Sequence, residues 1–172
     1  CNELVSTNRN ISTIYIGGGT PSQLSITNIA KIFTQVHSVW GHRVDAEEVT
    51  IECNPDDITD EFAQAISQLP INRVSMGAQT FNDDRLKFLH RRHCANEVKT
   101  AVSRLQKYGI KNISIDLMFG FPEESLNDWA SDIDAAISLG VQHISAYSLM
   151  YEEGTTLFKL LNLNKVKPID EE

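Results

Sequence analysis

The chain has 172 residues, 41% of them hydrophobic and 22% charged, a length and composition that suit a soluble globular domain with a core of its own. Its net charge is −8, and its only basic block is Arg91-Arg92-His93, which argues against nucleic acid and against an anionic membrane surface as partner. No apolar run approaches the roughly 18–20 residues of a transmembrane helix. Cys1-Asn2-Glu3-Leu4 resembles neither a signal peptide nor a natural start, so the sequence reads as beginning inside a longer protein. The cysteines, Cys1, Cys53 and Cys94, are far apart and form no CxxC. Their spacing points to no metal site, and so sparse a set suits a reducing compartment, the cytoplasm.

In chain order, strand and helix patterns alternate. Short β-branched runs predict strands over Thr13–Ile16, Val49–Cys53, Arg73–Met76, Ile113–Met118 and Ile144–Leu149. Between the first two, Ile29, Ile32, Phe33, Val36 and Trp40 recur at helical spacing, with Gly41 as the C′ residue. A second helix runs from Thr59 through Phe62, Ala65, Ile66 and Leu69 to the stop at Pro70. A short segment carries Leu86 and Leu89, and an apolar stripe of Val98, Ala101, Val102 and Leu105 ends at Gly109. The last helix opens on Ser125 as N-cap, with Asp128 three residues on, and closes at Gly140. Repeated strand–helix–strand without hairpin signals predicts parallel strands joined by crossover helices, about five units in one domain. The polar tail from Asn162 to Glu172 reads as a fraying end or a link to a further segment.

The strand ends hold the chemistry. The first strand stops at Gly17-Gly18-Gly19-Thr20-Pro21, either an ordinary turn or a place where backbone approaches a ligand. The second ends at Glu52-Cys53-Asn54-Pro55, the third runs into Gly77-Ala78-Gln79, and the fourth carries Asp116. In parallel α/β proteins such ends converge on one mouth. Glu52 and Asp116 interrupt hydrophobic strands, which is costly unless each is paired or bound. With Gln79 they read as matching positions on three strands, suited to the hydroxyls of a nucleoside. Arg91 is either a solvated helix end or a bidentate clamp on a ligand carboxylate. His93 and His143 read as packed or hydrogen-bonded more readily than as acid–base groups. Tyr147 and Trp129 read as core residues. No GxGxxG, GK[ST], GxSxG or HExxH pattern occurs.

Taken together, Tyr15-Ile16-Gly17-Gly18-Gly19-Thr20-Pro21-Ser22, Glu52-Cys53-Asn54-Pro55, Asn72 to Phe81, Arg91-Arg92-His93, Ile115 to Pro122, His143 to Leu149 and Glu153-Gly154-Thr155 resemble the oxygen-independent coproporphyrinogen III oxidase family of radical S-adenosylmethionine (SAM) proteins. The likeness spans Thr13 to Thr155. Asn54, the Arg91-x-His93 pair and His143-Ile144-Ser145 look more like the oxidase-like heme chaperone branch. The resemblance implies an α/β fold, a partial TIM-type barrel of the (β/α)6 kind, with SAM and a [4Fe–4S] cluster at the C-terminal mouth of its strands. Reduction of SAM by the cluster would yield a 5′-deoxyadenosyl radical. By that match Gly18, Gly19 and Thr20 hold the amino end of SAM, Arg91 pairs with its carboxylate, Gln79 and Asp116 face the ribose, and Glu52 adds a polar contact. Heme or a porphyrinogen is the implied partner, with an electron donor for the cluster.

One departure stands against the match. The family's CxxxCxxC loop is absent, and none of Cys1, Cys53 or Cys94 replaces it. The expectation is therefore a core lacking its first strand, cluster loop and C-terminal region, with no metal ligands or catalytic residue of its own and inactive by itself. Three readings remain: a radical SAM enzyme of heme metabolism, a heme-delivery protein without oxidase activity, and an unrelated barrel enzyme.

Overall fold

The computed structural model describes residues 10–41, 44–154, 156–163 and 166. The expectations placed on Cys1, on residues 2–4, on Thr155 and on most of the tail fall outside the described residues. Five strands are present: β1 (Ile11–Ile16), β2 (Val44–Cys53), β3 (Arg73–Gln79), β4 (Asn112–Phe119) and β5 (His143–Ser148). Six α-helices are described: α1 (Ile26–Trp40), α2 (Asp60–Ile66), α3 (Asp83–Phe88), α4 (Ala95–Lys107), α5 (Leu126–Ser138) and α6 (Thr156–Asn162). Single 3-10 turns at Pro21–Gln23 and Pro55–Asp57 follow β1 and β2.

Every neighbouring strand pair is parallel, and the order across the sheet is the order along the chain. With right-handed crossovers, an order that never reverses puts the connecting helices on one face and curls the sheet. A doubly wound sheet requires a reversal, and none occurs among the described strands. The result is a curled half-barrel, a partial TIM-type core.

Side chains alternate across each strand, and the two faces differ in kind. On β4, Ile113, Ile115 and Leu117 are fully buried against the helix layer, in one cluster with Ile51, Val74 and Met76 of the adjacent strands. Ile29 of α1, Phe62 of α2 and Val102 and Leu105 of α4 complete that cluster. The concave face instead carries Thr50 and Glu52, Arg73 and Ser75, Ser114 and Asp116, and His143 and Ser145. The main hydrophobic cluster therefore lies between sheet and helices, and the hollow of the half-barrel is polar.

The helix signals hold locally. Ser25 and Thr59 accept capping bonds from Asn28 and Phe62, and Ser125 and Asp128 form a reciprocal capping box. Strand limits differ more. β2 begins at Val44, five residues before the expected Val49, because Val44–Glu48 alternates half-buried with exposed side chains and its acidic residues mask the β-branched signal. β3 continues to Gln79 through a bulge, and β5 begins at His143.

Candidate functional site

A cleft of about 290 Å³ opens at the C-terminal ends of the strands, lined by Gly19, Thr20, Glu52, Gln79, Arg91 and Asp116, with Asn54, Ser75, Gly77 and Tyr147 between them. Six of the seven residues that the resemblance assigns to SAM thus share one cavity. The exception, Gly18, adjoins Gly19 in the turn and donates its backbone N–H to Glu52 Oε2 at 2.9 Å. A larger cleft of about 590 Å³ lies elsewhere, between α1 and β1–β2, and is lined mainly by apolar residues such as Ile14, Phe33 and Val49. It lacks the convergent polar groups of the mouth.

The glycine turn has two causes. Gly18 and Gly19 adopt φ of +86° and +65°, where other residues are strained, and a Cβ on either would meet open space. Gly17 is required for room instead: a Cβ there would stand 2.6 Å from Tyr15 Cε1 and 2.8 Å from Glu52 Oε1. Glu52 is held from both sides, since Tyr15 Oη also donates to its Oε1 at 2.8 Å.

Gln79 is buried with φ +68°, a left-handed conformation unfavourable for a side chain of its kind. The register explains it. Between Met76, opposite Ile115, and Gln79, opposite Leu117, β3 holds one residue more than β4. The bulge redirects the strand end toward the cleft. Gly77 leaves space beside it: a Cβ there would lie 3.0 Å from Gln79 Nε2 and 3.6 Å from an Arg91 guanidinium nitrogen.

Arg91 and Arg92 divide in role. The exposed Arg92 guanidinium bridges Asp56 at 2.8 Å and Asp57 at 3.2 Å. Ser22 Oγ donates to Asp57 Oδ2 at 2.6 Å and accepts from the Asn54 N–H at 3.2 Å, tying together the loops after β1 and β2. Arg91 is half-buried and makes no ion pair among the described residues; burial lowers its pKa, and the field of Asp56 works against that shift. A guanidinium remains charged in such a setting, leaving a cation directed at the cleft.

Asp116 accepts from Ser75 Oγ at 3.2 and 3.3 Å. Burial raises its pKa, opposed by hydrogen bonds from Ser145 and Ser75. The expected level row of Glu52, Gln79 and Asp116 is not found. Glu52 stands opposite Ser75, Asp116 opposite Ser145 and Gln79 opposite Leu117, so the three are staggered up the wall. Strand tilt in a curled sheet produces that stagger.

Other expectations divide. His93 is buried, its Nε2 3.1 Å from the Ala78 carbonyl, and burial lowers its pKa. His143 Nδ1 lies 2.9 Å from Ser114 Oγ, below the cleft. Trp129 packs on Phe119, ring centres 5.4 Å apart, as a core residue. Tyr147 does not: it is 55% exposed and lines the cleft, because His143, Ser145 and Tyr147, the odd positions of β5, face the hollow rather than the helices. Tyr15, Ser75 and Gly77 were missed, although the alternation of Arg73, Ser75 and Gly77 along β3 marks its concave face.

The residues present fit SAM in kind. An unpaired half-buried cation suits a carboxylate, the open glycine backbone an amino end, and Gln79 with Asp116 hydroxyl groups. They do not fit a [4Fe–4S] cluster. Cys53 is a core thiol whose pKa burial drives upward, the reverse of a thiolate ligand, and Cys94 lies at the start of α4. Among the described residues no three His, Cys, Asp or Glu side chains gather as a metal site.

The family profile of the Radical SAM superfamily matches residues 2–136. The chain belongs to the Radical SAM superfamily. Membership implies SAM and a [4Fe–4S] cluster as the cofactors of such proteins. Among curated relatives, the heme chaperone HemW of Bacillus subtilis is 37% identical over 156 residues, covering 91% of this chain and 41% of that protein. HemW of Escherichia coli is 35% identical over 147 residues, covering 86% of this chain and 39% of that protein. These likenesses agree with the chaperone branch indicated by Asn54 and Arg91-x-His93. The chain spans about two fifths of the length of the curated relatives it matches. Among solved structures, Escherichia coli coproporphyrinogen III oxidase (HemN), a radical SAM enzyme, aligns with a TM-score of 0.74 at 22% identity, over 95% of this chain and 37% of that one. Archaeal Elp3 from Methanocaldococcus infernus aligns with a TM-score of 0.82 at 19% identity, over 91% and 41%. At these identities the two confirm the half-barrel fold alone.

Proposed function

We propose that this chain is the SAM-binding part of a radical SAM protein of heme metabolism, of the HemW-like chaperone branch. In this reading Gly18, Gly19 and Thr20 receive the amino end of SAM, Arg91 its carboxylate, and Gln79 and Asp116 its ribose, while Glu52 shapes the glycine turn and adds a polar contact. The chain contributes them as one domain, an incomplete core. The observation that carries the reading is the pairing across one cleft of an unpartnered, half-buried Arg91 with an exposed glycine backbone. An α-amino acid end presents a carboxylate to the guanidinium and an ammonium to the glycine turn, where the Glu52 carboxylate stands.

When bound and reductively cleaved at its C–S bond, SAM supplies a 5′-deoxyadenosyl radical. The residues here bind and orient: the cleft walls fix the amino acid end, and the staggered Gln79 and Asp116 fix the sugar. Heme is the proposed cargo, following the name carried by the relatives, and reduction of the cluster calls for an electron donor. Cytoplasmic placement goes with this reading, and no described helix is long and apolar enough to cross a membrane.

The test uses full-length protein reconstituted anaerobically with iron and sulfide. Release of 5′-deoxyadenosine from SAM under reduction, heme binding, and no conversion of coproporphyrinogen III are the expected results. Conversion to protoporphyrinogen would move the protein to the oxidase branch. A confirmed cluster with no SAM cleavage would overturn the enzymatic reading.

A further inference from the structure

We propose that Tyr15 is a positioning residue of the cleft: its phenol fixes the Glu52 carboxylate, and through it the glycine turn, in the shape that receives the amino end of SAM. The inference rests on the SAM reading above and adds to it a residue outside the proposed ligand contacts.

Three observations carry it. Tyr15 Oη donates to Glu52 Oε1 at 2.8 Å, while the Gly18 N–H donates to Oε2 at 2.9 Å. Glu52 is thus the link between β1 and its own turn, and the phenol sets its orientation. Each carboxylate oxygen accepts two hydrogen bonds, so both retain a lone pair for a ligand ammonium. Second, Gly17 lacks a side chain because the Tyr15 ring and the Glu52 carboxylate occupy that space, at 2.6 and 2.8 Å from where a Cβ would stand. The turn is shaped around this pair. Third, Tyr15 is 56% exposed, so its ring contributes little as core. Burial of the phenol and the neighbouring Glu52 charge raise its pKa, so it remains a donor at neutral pH; the Ser75 hydroxyl acts in the opposite direction.

Tyr15→Phe keeps the ring beside Gly17 and deletes only the hydrogen bond. The test measures equilibrium binding to full-length, anaerobically reconstituted protein with three probes: SAM, decarboxylated SAM, which keeps the amino group, and 5′-methylthioadenosine, which has neither amino group nor carboxylate. The expected result is about tenfold weaker binding of the first two, the size of a lost hydrogen bond to a charged group, with the third unchanged. Glu52→Gln should show the same pattern, and Tyr15→Phe on that background should add no further loss. Arg91→Ala should instead weaken SAM and spare decarboxylated SAM. Equal loss across all three probes in Tyr15→Phe would make Tyr15 a general structural residue and overturn the proposal, as would no loss. Failure of the unsubstituted protein to bind any probe would overturn the SAM reading and this inference with it.

Discussion

Arg91 and Arg92 are adjacent and chemically identical in sequence, yet the fold assigns them opposite surroundings. Arg92 is exposed and paired with Asp56 and Asp57, while Arg91 is half-buried beside Gly77 and Gln79. The Arg92 end of these pairs is exposed and lysine keeps its charge there, so Arg92→Lys should leave both stability and SAM affinity nearly unchanged. Lysine cannot reproduce a planar two-point grip, so Arg91→Lys should weaken SAM binding by about tenfold or more. Calorimetric titration of the two variants compares them directly, and an Arg91→Lys variant with undiminished affinity would remove the clamp. The glycines divide in a similar way. Gly19→Ala forces a side chain into φ +65° with no collision, at a cost of roughly 1–2 kcal/mol. Gly17→Ala drives a methyl group into Tyr15 and Glu52, so it should disturb the cleft itself: weaker SAM binding than Gly19→Ala at a comparable midpoint of urea unfolding. The three glycines stood out in the sequence as a turn or a candidate place of ligand approach. Which glycine serves conformation and which serves space was not, because the second depends on Glu52, 35 residues further along the chain.

At the scale of elements, the helices from α1 to α5 were legible because their apolar residues recur with period 3.6 and most of their ends carry Ser, Thr or Gly, whereas α6 was not foreseen. β2 was half legible, since its first five residues alternate with acidic side chains. Asp132 shows what periodicity hides. It lies three residues after Trp129 and four before Ala136, on the apolar stripe of α5, and is 4% exposed. A carboxylate at that position was the available signal of a buried polar contact. Asp132 accepts from Thr80 Oγ1 at 2.6 Å and from the Phe81 N–H at 2.8 Å, and Thr80 Oγ1 accepts from the Asn82 N–H at 3.0 Å. The helix thereby clasps the loop that carries the chain from Gln79 toward Arg91. Asp132→Ala leaves the Thr80 hydroxyl proton and the Phe81 N–H without an acceptor, with an expected loss of about 2–4 kcal/mol in urea unfolding. A loss below about 0.5 kcal/mol would show that the loop finds other partners.

At the scale of the molecule, one sheet performs two tasks on its two faces, and adjacent residues of β4 expose the division. Leu117 faces the helices and is fully buried; Asp116 faces the polar hollow. Leu117→Ala should cost about 2–5 kcal/mol at any pH, the range for deleting a core leucine. Asp116→Asn should act in the other direction at neutral pH. Burial raises the Asp116 pKa in the fold, so the native state holds that proton more tightly than the unfolded chain does. Its contribution to stability is full below the unfolded value of about 4 and is lost as pH rises through the raised native value. Removing the charge should therefore raise the unfolding midpoint at pH 7, and the difference should close as the pH falls to about 4. In the same protein SAM binding should weaken, because a carboxylate accepts two hydroxyl bonds where the amide offers one acceptor. Thermal unfolding of Asp116→Asn across pH, read beside its SAM affinity, tests both halves. A variant less stable than the parent at pH 7 would mean that Ser75 and Ser145 more than compensate the buried charge, and that the concave wall is built for stability rather than held at a cost for the ligand.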